Sequence, residues 1–214
     1  MDVVLPCLDE AGALPAVLGG LPPGYRAIVV DNGSADGSPE IAAAYGAKVV
    51  HEPRRGYGAA VHTGLECATA DIVCFADADG SLDLADLPRL VEAVRSGTDL
   101  AVGRRVPTSP RAWPWHARAG NAALSLLLRS RGLPVRDIAP LRAAHRQALL
   151  DLGVVDRAFG YPLELLVKAQ RAGWHVREFD VSYGERAAGT KSKVSGSVRG
   201  TLRAVRDFGR VLAR

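Results

Sequence analysis

The sequence contains no run of about 18 consecutive apolar residues, so no segment reads as a membrane-spanning helix. Aromatic residues are scarce, at 6 % of the chain, and neither a recognition-helix motif nor an aromatic platform is visible. Nucleic acid is therefore not an expected partner. Cysteine is nearly absent, and Cys7, Cys67 and Cys74 form an odd set with no Cys-X-X-Cys pair. That argues against a disulfide framework or a thiolate metal site. The three read as reduced thiols in a cytoplasmic protein. The five histidines, His51, His62, His116, His145 and His175, lack ligand spacing and read as surface or packing residues. There is no repeat and no low-complexity tract. A strand pattern begins at Asp2, so no leader peptide is expected.

What the chain does have is apolar content, glycine and arginine. Hydrophobic residues make up 48 % of 214, enough for one core of ordinary domain size. The formal charge of +4 is uneven, with arginine dominating from Arg104 onward. A basic half points to phosphate-bearing partners or to an anionic membrane surface.

The first hundred residues alternate strand and helix. Strands are expected at Asp2–Leu5, Arg26–Val30, Ala47–His51, Ile72–Ala76 and Leu100–Val102. Helices are expected at Ala11–Leu21, Ser38–Tyr45, Tyr57–Ala68 and Leu84–Ser96, the last with Leu87, Leu90, Val91 and Val94 on one face. Repeated β-α-β units predict an α/β fold, a mostly parallel sheet flanked by helices in a single domain. Beyond a Pro- and Trp-containing loop at Ser109–Trp115, helices are expected at Ala117–Leu128, Arg142–Leu152 and Pro162–Ala172, and a strand at His175–Val181. Gly184–Ser197 reads as a basic mobile loop and Val198–Leu212 as an amphipathic helix.

Asp77-Ala78-Asp79 carries the most chemistry. It follows the apolar run Ile72–Ala76, so two carboxylates sit at a strand's C-terminal tip, where open α/β sheets bind ligands. Carboxylate oxygens at i and i+2 suit a hard divalent cation, Mn²⁺ or Mg²⁺, which would hold a nucleotide diphosphate. Acids at strand ends also cap helices or face water, and the motif alone leaves that alternative open. Asp31 likewise ends a strand and can accept hydrogen bonds from a base edge or a ribose, or close an Asx-turn with Asn32-Gly33. Arg55-Gly56-Tyr57-Gly58 opens a helix, where glycine admits close backbone approach and the helix N-terminus favours anions.

Taken together, an ordered set of strings resembles the family 2 glycosyltransferases of the GT-A fold, and within them the dolichol- and polyprenyl-phosphate mannosyltransferase group. The strings are Leu5-Pro6-Cys7-Leu8-Asp9-Glu10, Val29–Ser34 with Asp36-Gly37, Arg55–Ala59, Asp77–Asp79 and Gly103-Arg104-Arg105. They continue with Arg136-Asp137, Pro140 and Arg142, and end in Arg186, Gly189 and Ser192-Lys193. The resemblance implies donor-nucleotide contacts from Pro6, Leu8, Glu10, Asp31, Arg55, Gly56, Asp77 and Ala78. It implies a metal site at Asp79 and Asp77, and acceptor- or diphosphate-binding by Arg105, Arg118, Arg186, Ser192 and Lys193. Asp77, Asp79, Asp137 and Lys193 are the implied catalytic set. Residues 1–183 would form the domain, with 1–103 the nucleotide-sugar half and 104–183 the acceptor half, followed by the 184–214 appendage. The chain departs from the family pattern at Asp9, usually Asn, at Gly80-Ser81, often Leu-Gln, and at Lys191, an apparent insertion.

The expected activity is metal-dependent, inverting transfer of a hexose from a GDP- or UDP-hexose to a polyprenyl phosphate, with peripheral contact on the inner face of a membrane. A soluble hydroxyl acceptor is the enzyme alternative, and a nucleotidyltransferase or a non-catalytic sugar-nucleotide-binding protein is less favoured. Transfer to a hydroxyl needs a general base and transfer to a phosphate does not. No Glu-Asp pair of that kind occurs in the second half, where Asp137 and Glu164 are the acids near expected site positions. Trp113 and Trp115 suit either loop packing or a lipid interface.

Overall fold

Valine-rich runs bounded by turn residues suit a surface buried on both sides, because β-branched side chains pack well on a pleated sheet. They form β1 (Asp2–Cys7), β2 (Arg26–Asp31), β3 (Lys48–His51), β4 (Ile72–Phe75), β5 (Leu100–Pro107), β6 (Leu141–His145) and β7 (Val176–Tyr183). The strands make one seven-stranded sheet in the order β3-β2-β1-β4-β6-β5-β7. All neighbours pair in parallel except β6, which runs antiparallel between β4 and β5. The computed structural model describes residues 1–133, 135–187 and 206–212.

Period-2 alternation sends side chains to two core layers. Val3, Leu5 and Cys74 face a layer closed by α1 (Leu14–Gly19) and α4 (Leu87–Arg95), where Leu87, Leu90, Val91 and Val94 are buried as their spacing predicts. Val4, Val30 and Val73 face the other, closed by α3 (Tyr57–Cys67) and α7 (Tyr161–Arg171). Gly64 lets α3 lie close on the sheet, since a Cβ there would stand 2.3 Å from Val4 Cγ1. The remaining described helices are α2 (Ser38–Ala44), α5 (Trp115–Ser130), α6 (Arg146–Asp151) and α8 over residues 206–212.

Three elements differ from the sequence expectation. The first half of the expected helix Arg142–Leu152 is β6 instead. Ala143 and Ala144 favour helix intrinsically, but pairing on both sides with β4 and β5 supplies partners for their backbone groups and overrides that preference. β1 runs through Pro6 to Cys7. On the β4 side its ladder ends at Val4–Phe75, so the absent N–H of Pro6 forfeits no strand pairing. β5 extends to Pro107, past the expected end at Val102, because Arg104 and Arg105 point to opposite faces and each finds a carboxylate there. As for the C-terminal helix, its described part rests Phe208, Val211 and Leu212 on the second core layer. Arg199 and Arg203 lie outside the described residues.

Because the strands other than β6 run the same way, the tips of β1, β2, β4, β5 and β7 share one edge of the sheet. The opposite edge is fastened by Asp2, which is buried and accepts from Thr69 N (2.7 Å), Ala70 N (2.9 Å) and Arg26 Nε (2.9 Å). Burial alone would raise this carboxyl, but the two backbone N–H groups and Arg26 outweigh it and hold the pKa below the ordinary value. A depressed folded-state pKa gives stability that is present above about pH 4 and lost as pH falls through the folded value. Asp2→Asn should therefore lower unfolding free energy at neutral pH by about 1–2 kcal/mol. The urea stability profile should also be flatter in acid than that of the wild type, and an unchanged acid limb would contradict this assignment.

Candidate active site

The functional edge begins where two loops are laced together. Asp9 N donates to Ser34 Oγ (3.0 Å), Asp9 Oδ1 accepts from Ala35 N (2.9 Å), and Asp36 Oδ2 accepts from Ala11 N (2.9 Å). Asp9 adopts a left-handed φ of 52°, a conformation that Asp tolerates better than most side chains. Asp31 at the β2 tip is buried and accepts from Gly33 N (3.1 Å), Ser34 N (2.9 Å) and His51 Nδ1 (3.1 Å). Burial pushes its carboxyl up, and the Ser34, His51 and Gly33 bonds more than reverse that, so it is ionised at neutral pH. Cys7 pairs with it at the end of the β1 ladder, one residue after Pro6, Leu8 follows on the next loop, and buried Glu10 fixes its backbone N to Ser38 Oγ (2.9 Å).

The α3 N-terminus differs from an open anion seat. Its first amides are taken by protein: Gly58 N donates to Ala158 O (3.0 Å), Ala59 N to Arg157 O (2.9 Å) and Gly56 N to Asn32 Oδ1 (2.8 Å). Gly56, at φ 149°, is required there because a Cβ would stand 2.1 Å from Arg157 O. Glycine thus admits the 155–158 loop of the chain itself. Exposed Arg55 turns back to the β2 loop, donating to Asn32 O (2.8 Å) beside Gly33. Glu164, one of the acids weighed as a site residue, holds that same loop by accepting from Val155 N (3.2 Å) and Asp156 N (2.7 Å).

At the β4 tip, Asp77, Ala78 and Asp79 lie at the middle of the edge. Asp77 is half-buried and Tyr57 OH donates to it at 3.4 Å. Burial and the negative charge of Asp79 push its pKa up to about 6, while Arg186 and Arg105 pull it back. Asp79 is buried, accepts from Ser81 N (2.9 Å) and Ser81 Oγ (2.5 Å), and pairs with Arg186 Nη1 at 2.6 Å. Arg186 is set there by backbone: after β7, Gly184 N donates to Ser81 O (2.8 Å) and Ala187 N to Asp79 O (3.1 Å). The donor atoms here are carboxylate oxygens, and one already holds a cationic group, so the residues fit a hard divalent ion. Among the described residues no group of three or more His, Cys, Asp or Glu surrounds an ion site.

Arg105 and Asp137 form the other wall. Arg105 donates from Nε (2.8 Å) and Nη2 (2.7 Å) to the two Asp137 oxygens, and its backbone N adds a third bond at 2.9 Å. Asp137 is buried; burial would raise its pKa, but these bonds hold it below the ordinary value. The Arg105 guanidinium lies 4.0 Å over the Trp113 ring and 5.4 Å from that of Tyr183. Buried Arg142 secures the turn behind Asp137, donating to the carbonyls of Ile138, Ala139 (2.8 Å) and Pro162 (2.9 Å). Arg118 is exposed on the first turns of α5, and Ser192 and Lys193 lie outside the described residues. Sequence reasoning missed Tyr57 as a partner of Asp77 and Trp113 as the platform under Arg105. Each sat inside or beside a motif, but an aromatic there is also ordinary packing.

Removing Asp137 leaves a largely buried guanidinium without its carboxylate. Asp137→Ala should cost about 3 kcal/mol of unfolding free energy, read by chemical denaturation, and more than Asp137→Asn. Equal and small losses in both variants would mean that Arg105 does not depend on this pair.

Comparison with known proteins bears on the family and the fold. The glycosyl transferase family 2 model matches residues 2–153. An uncharacterized glycosyltransferase of Mycobacterium tuberculosis (strain ATCC 25618 / H37Rv) is 59 % identical over 214 residues, covering 100 % of this chain and 98 % of that protein. The polyprenol monophosphomannose synthase of Mycolicibacterium smegmatis is 32 % identical over 231 residues, covering 97 % of this chain and 86 % of that one. Among solved structures, glucosyl-3-phosphoglycerate synthase from Mycobacterium tuberculosis, in complex with Mn²⁺, UDP and glucosyl-3-phosphoglycerate, aligns with a TM-score of 0.75 at 25 % identity. That alignment covers 99 % of this chain and 77 % of that one. The parallel sheet, the acids at its β4 tip and the family match identify the chain as a glycosyltransferase of family 2 with the GT-A fold.

Proposed function

We propose that this glycosyltransferase moves a hexose from a UDP- or GDP-hexose to the phosphate of a polyprenyl phosphate, with inversion at the anomeric carbon. One observation carries the reading. The two acids at expected site positions in the second half of the chain, Asp137 and Glu164, are both committed to protein partners, Arg105 and the 155–156 amides. Neither is disposed to take a proton. A phosphate acceptor is already ionised at neutral pH and needs no such base. The similarity to a polyprenol monophosphomannose synthase over 97 % of the chain supports the same acceptor class.

In this reading ionised Asp31 meets the nucleoside, with Pro6, Leu8 and Glu10 as the neighbouring wall and Arg55 at its rim. Asp77 and Ala78 face the ribose and the sugar. Asp79, with Asp77, would hold Mn²⁺ or Mg²⁺, which when bound neutralises charge on the diphosphate. Arg186 exchanges Asp79 for the diphosphate as donor binds, and Ser192 and Lys193 join it there. Arg105, held edge-on by Asp137, spends two of the five N–H groups of a guanidinium on that acid and presents the rest to the acceptor phosphate, assisted by Arg118. The acceptor phosphate oxygen attacks the anomeric carbon, that carbon's bond to the diphosphate oxygen breaks, and the nucleoside diphosphate leaves with the electron pair.

A soluble phosphorylated acceptor is the second reading. It is favoured by the fold shared with an enzyme crystallised with glucosyl-3-phosphoglycerate.

Two variants test the donor site. Asp79→Ala should keep the fold but abolish the Mn²⁺-dependent thermal shift given by the matching sugar nucleotide, drawn from a UDP-, GDP-, dTDP- and CDP-hexose panel. A wild-type shift in Asp79→Ala would remove Asp79 from the metal site. Glu164→Gln should leave kcat within about twofold while lowering stability by about 1 kcal/mol. A loss of kcat of about a hundredfold or more at unchanged fold would instead identify Glu164 as a general base and favour a hydroxyl acceptor.

A further inference from the structure

Between Arg104 and Arg136 the chain carries seven arginines and not one Asp or Glu. About half of that stretch is α5. Its inner face is accounted for: Leu124 and Leu128 pack on the second core layer, and Ser125 is buried. Asn121 bridges Arg136 O (3.2 Å) and Ile138 N (3.1 Å). The outer face carries Trp115, Ala119, Ala122 and Leu126, at i, i+4, i+7 and i+11, which is one line along a helix. Trp115 is 80 % exposed and Leu126 is 61 % exposed, and both alanines between them are exposed. At the helical turn of about 100° per residue, Arg118 and Arg129 fall on one flank of this line.

An apolar ridge flanked by arginine, on a segment free of carboxylates, is complementary to a surface that is apolar in depth and anionic at its face. The ridge also starts at the acceptor side of the site, two residues after Trp113, which stacks on Arg105. The C-terminal helix, by contrast, has its apolar residues Phe208, Val211 and Leu212 engaged with the core.

We propose that the outer face of α5 is a peripheral docking surface for a bilayer rich in anionic lipid. Trp115 and Leu126 enter the boundary between headgroups and acyl chains, and the flanking arginines meet lipid phosphates. Docking by this face holds the Arg105 side of the site toward the membrane. The inference deepens the lipid-acceptor reading and rests on it for its purpose, but its test uses neither donor nor acceptor, so the two fail separately.

The test is flotation of the full chain with vesicles of phosphatidylglycerol and phosphatidylcholine. Binding is expected to the mixed vesicles at about 0.05 M salt, with release at about 0.5 M, and no binding to phosphatidylcholine alone. Trp115→Ala combined with Leu126→Ser should lower the partition coefficient at least about fivefold, and Arg129→Gln by roughly fivefold. Arg206→Gln with Arg210→Gln should change it by less than about twofold. These positions are exposed, and unchanged circular dichroism and melting will verify that each variant is folded. Absence of flotation at low salt overturns the proposal. So does loss of binding confined to the Arg206 and Arg210 variant. A dimer seen by light scattering that dissociates in Trp115→Ala with Leu126→Ser, without vesicle binding, assigns the ridge to a second copy of the chain and also overturns it.

Discussion

Two carboxylates at the end of one strand repel each other, and the edge of the sheet is built to hold them together. Burial first, and then the charge of Asp79, raise the Asp77 pKa to about 6. The surroundings supply the offset. Arg186 reaches Asp79 because the chain after β7 pairs with the backbone at Asp79 and Ser81. Arg105 stands on the far side, fixed by Asp137 and stacked on Trp113. Tyr57 donates to Asp77 from the start of α3, and α3 is held at that height by the 155–158 loop, itself tied down by Glu164. Residues from five separate stretches of chain thus converge on one electrostatic problem. A divalent cation with a diphosphate is a fitting solution to it, because it brings positive charge to the carboxylates and takes the negative diphosphate in the same step.

The parallel half of the fold was legible in the sequence because hydrophobic period and turn chemistry agreed there. Val3-Val4-Leu5, Ile28-Val29-Val30 and Ile72-Val73-Cys74 are apolar runs closed by Pro, Asp or Asn, and they became β1, β2 and β4. β6 was not legible. Its Ala143-Ala144 centre has no β-branched residue, and its strand state is imposed by neighbours on both sides, information that no local window contains. The length of β5 was hidden for a related reason. Arg104 and Arg105 look like the polar end of a strand until Asp180 and Asp137, far along the chain, provide partners on opposite faces.

The site was legible as residue types rather than as contacts. The motif strings named Asp31, Asp77, Asp79, Arg105, Asp137 and Arg186, and all lie at or beside the same sheet edge. Their pairing could not be read from spacing, since Arg105–Asp137 spans 32 residues and Arg186–Asp79 more than a hundred. Gly56 and Gly58 illustrate the limit from the other direction. The glycines were read as admitting close approach to a ligand, whereas what approaches them is the 155–158 loop, whose carbonyls no sequence pattern points to.

Measurement of the products tests the account most directly. Purified protein is incubated with Mn²⁺, a nucleotide hexose chosen by binding, and undecaprenyl phosphate, and the phosphorus-containing products are followed by NMR. The account predicts one nucleoside diphosphate released for each hexosyl lipid phosphate formed, with the anomeric configuration opposite to that of the donor. Release of pyrophosphate, retention of configuration, or sugar nucleotide left intact with every phosphorylated acceptor tried would contradict it.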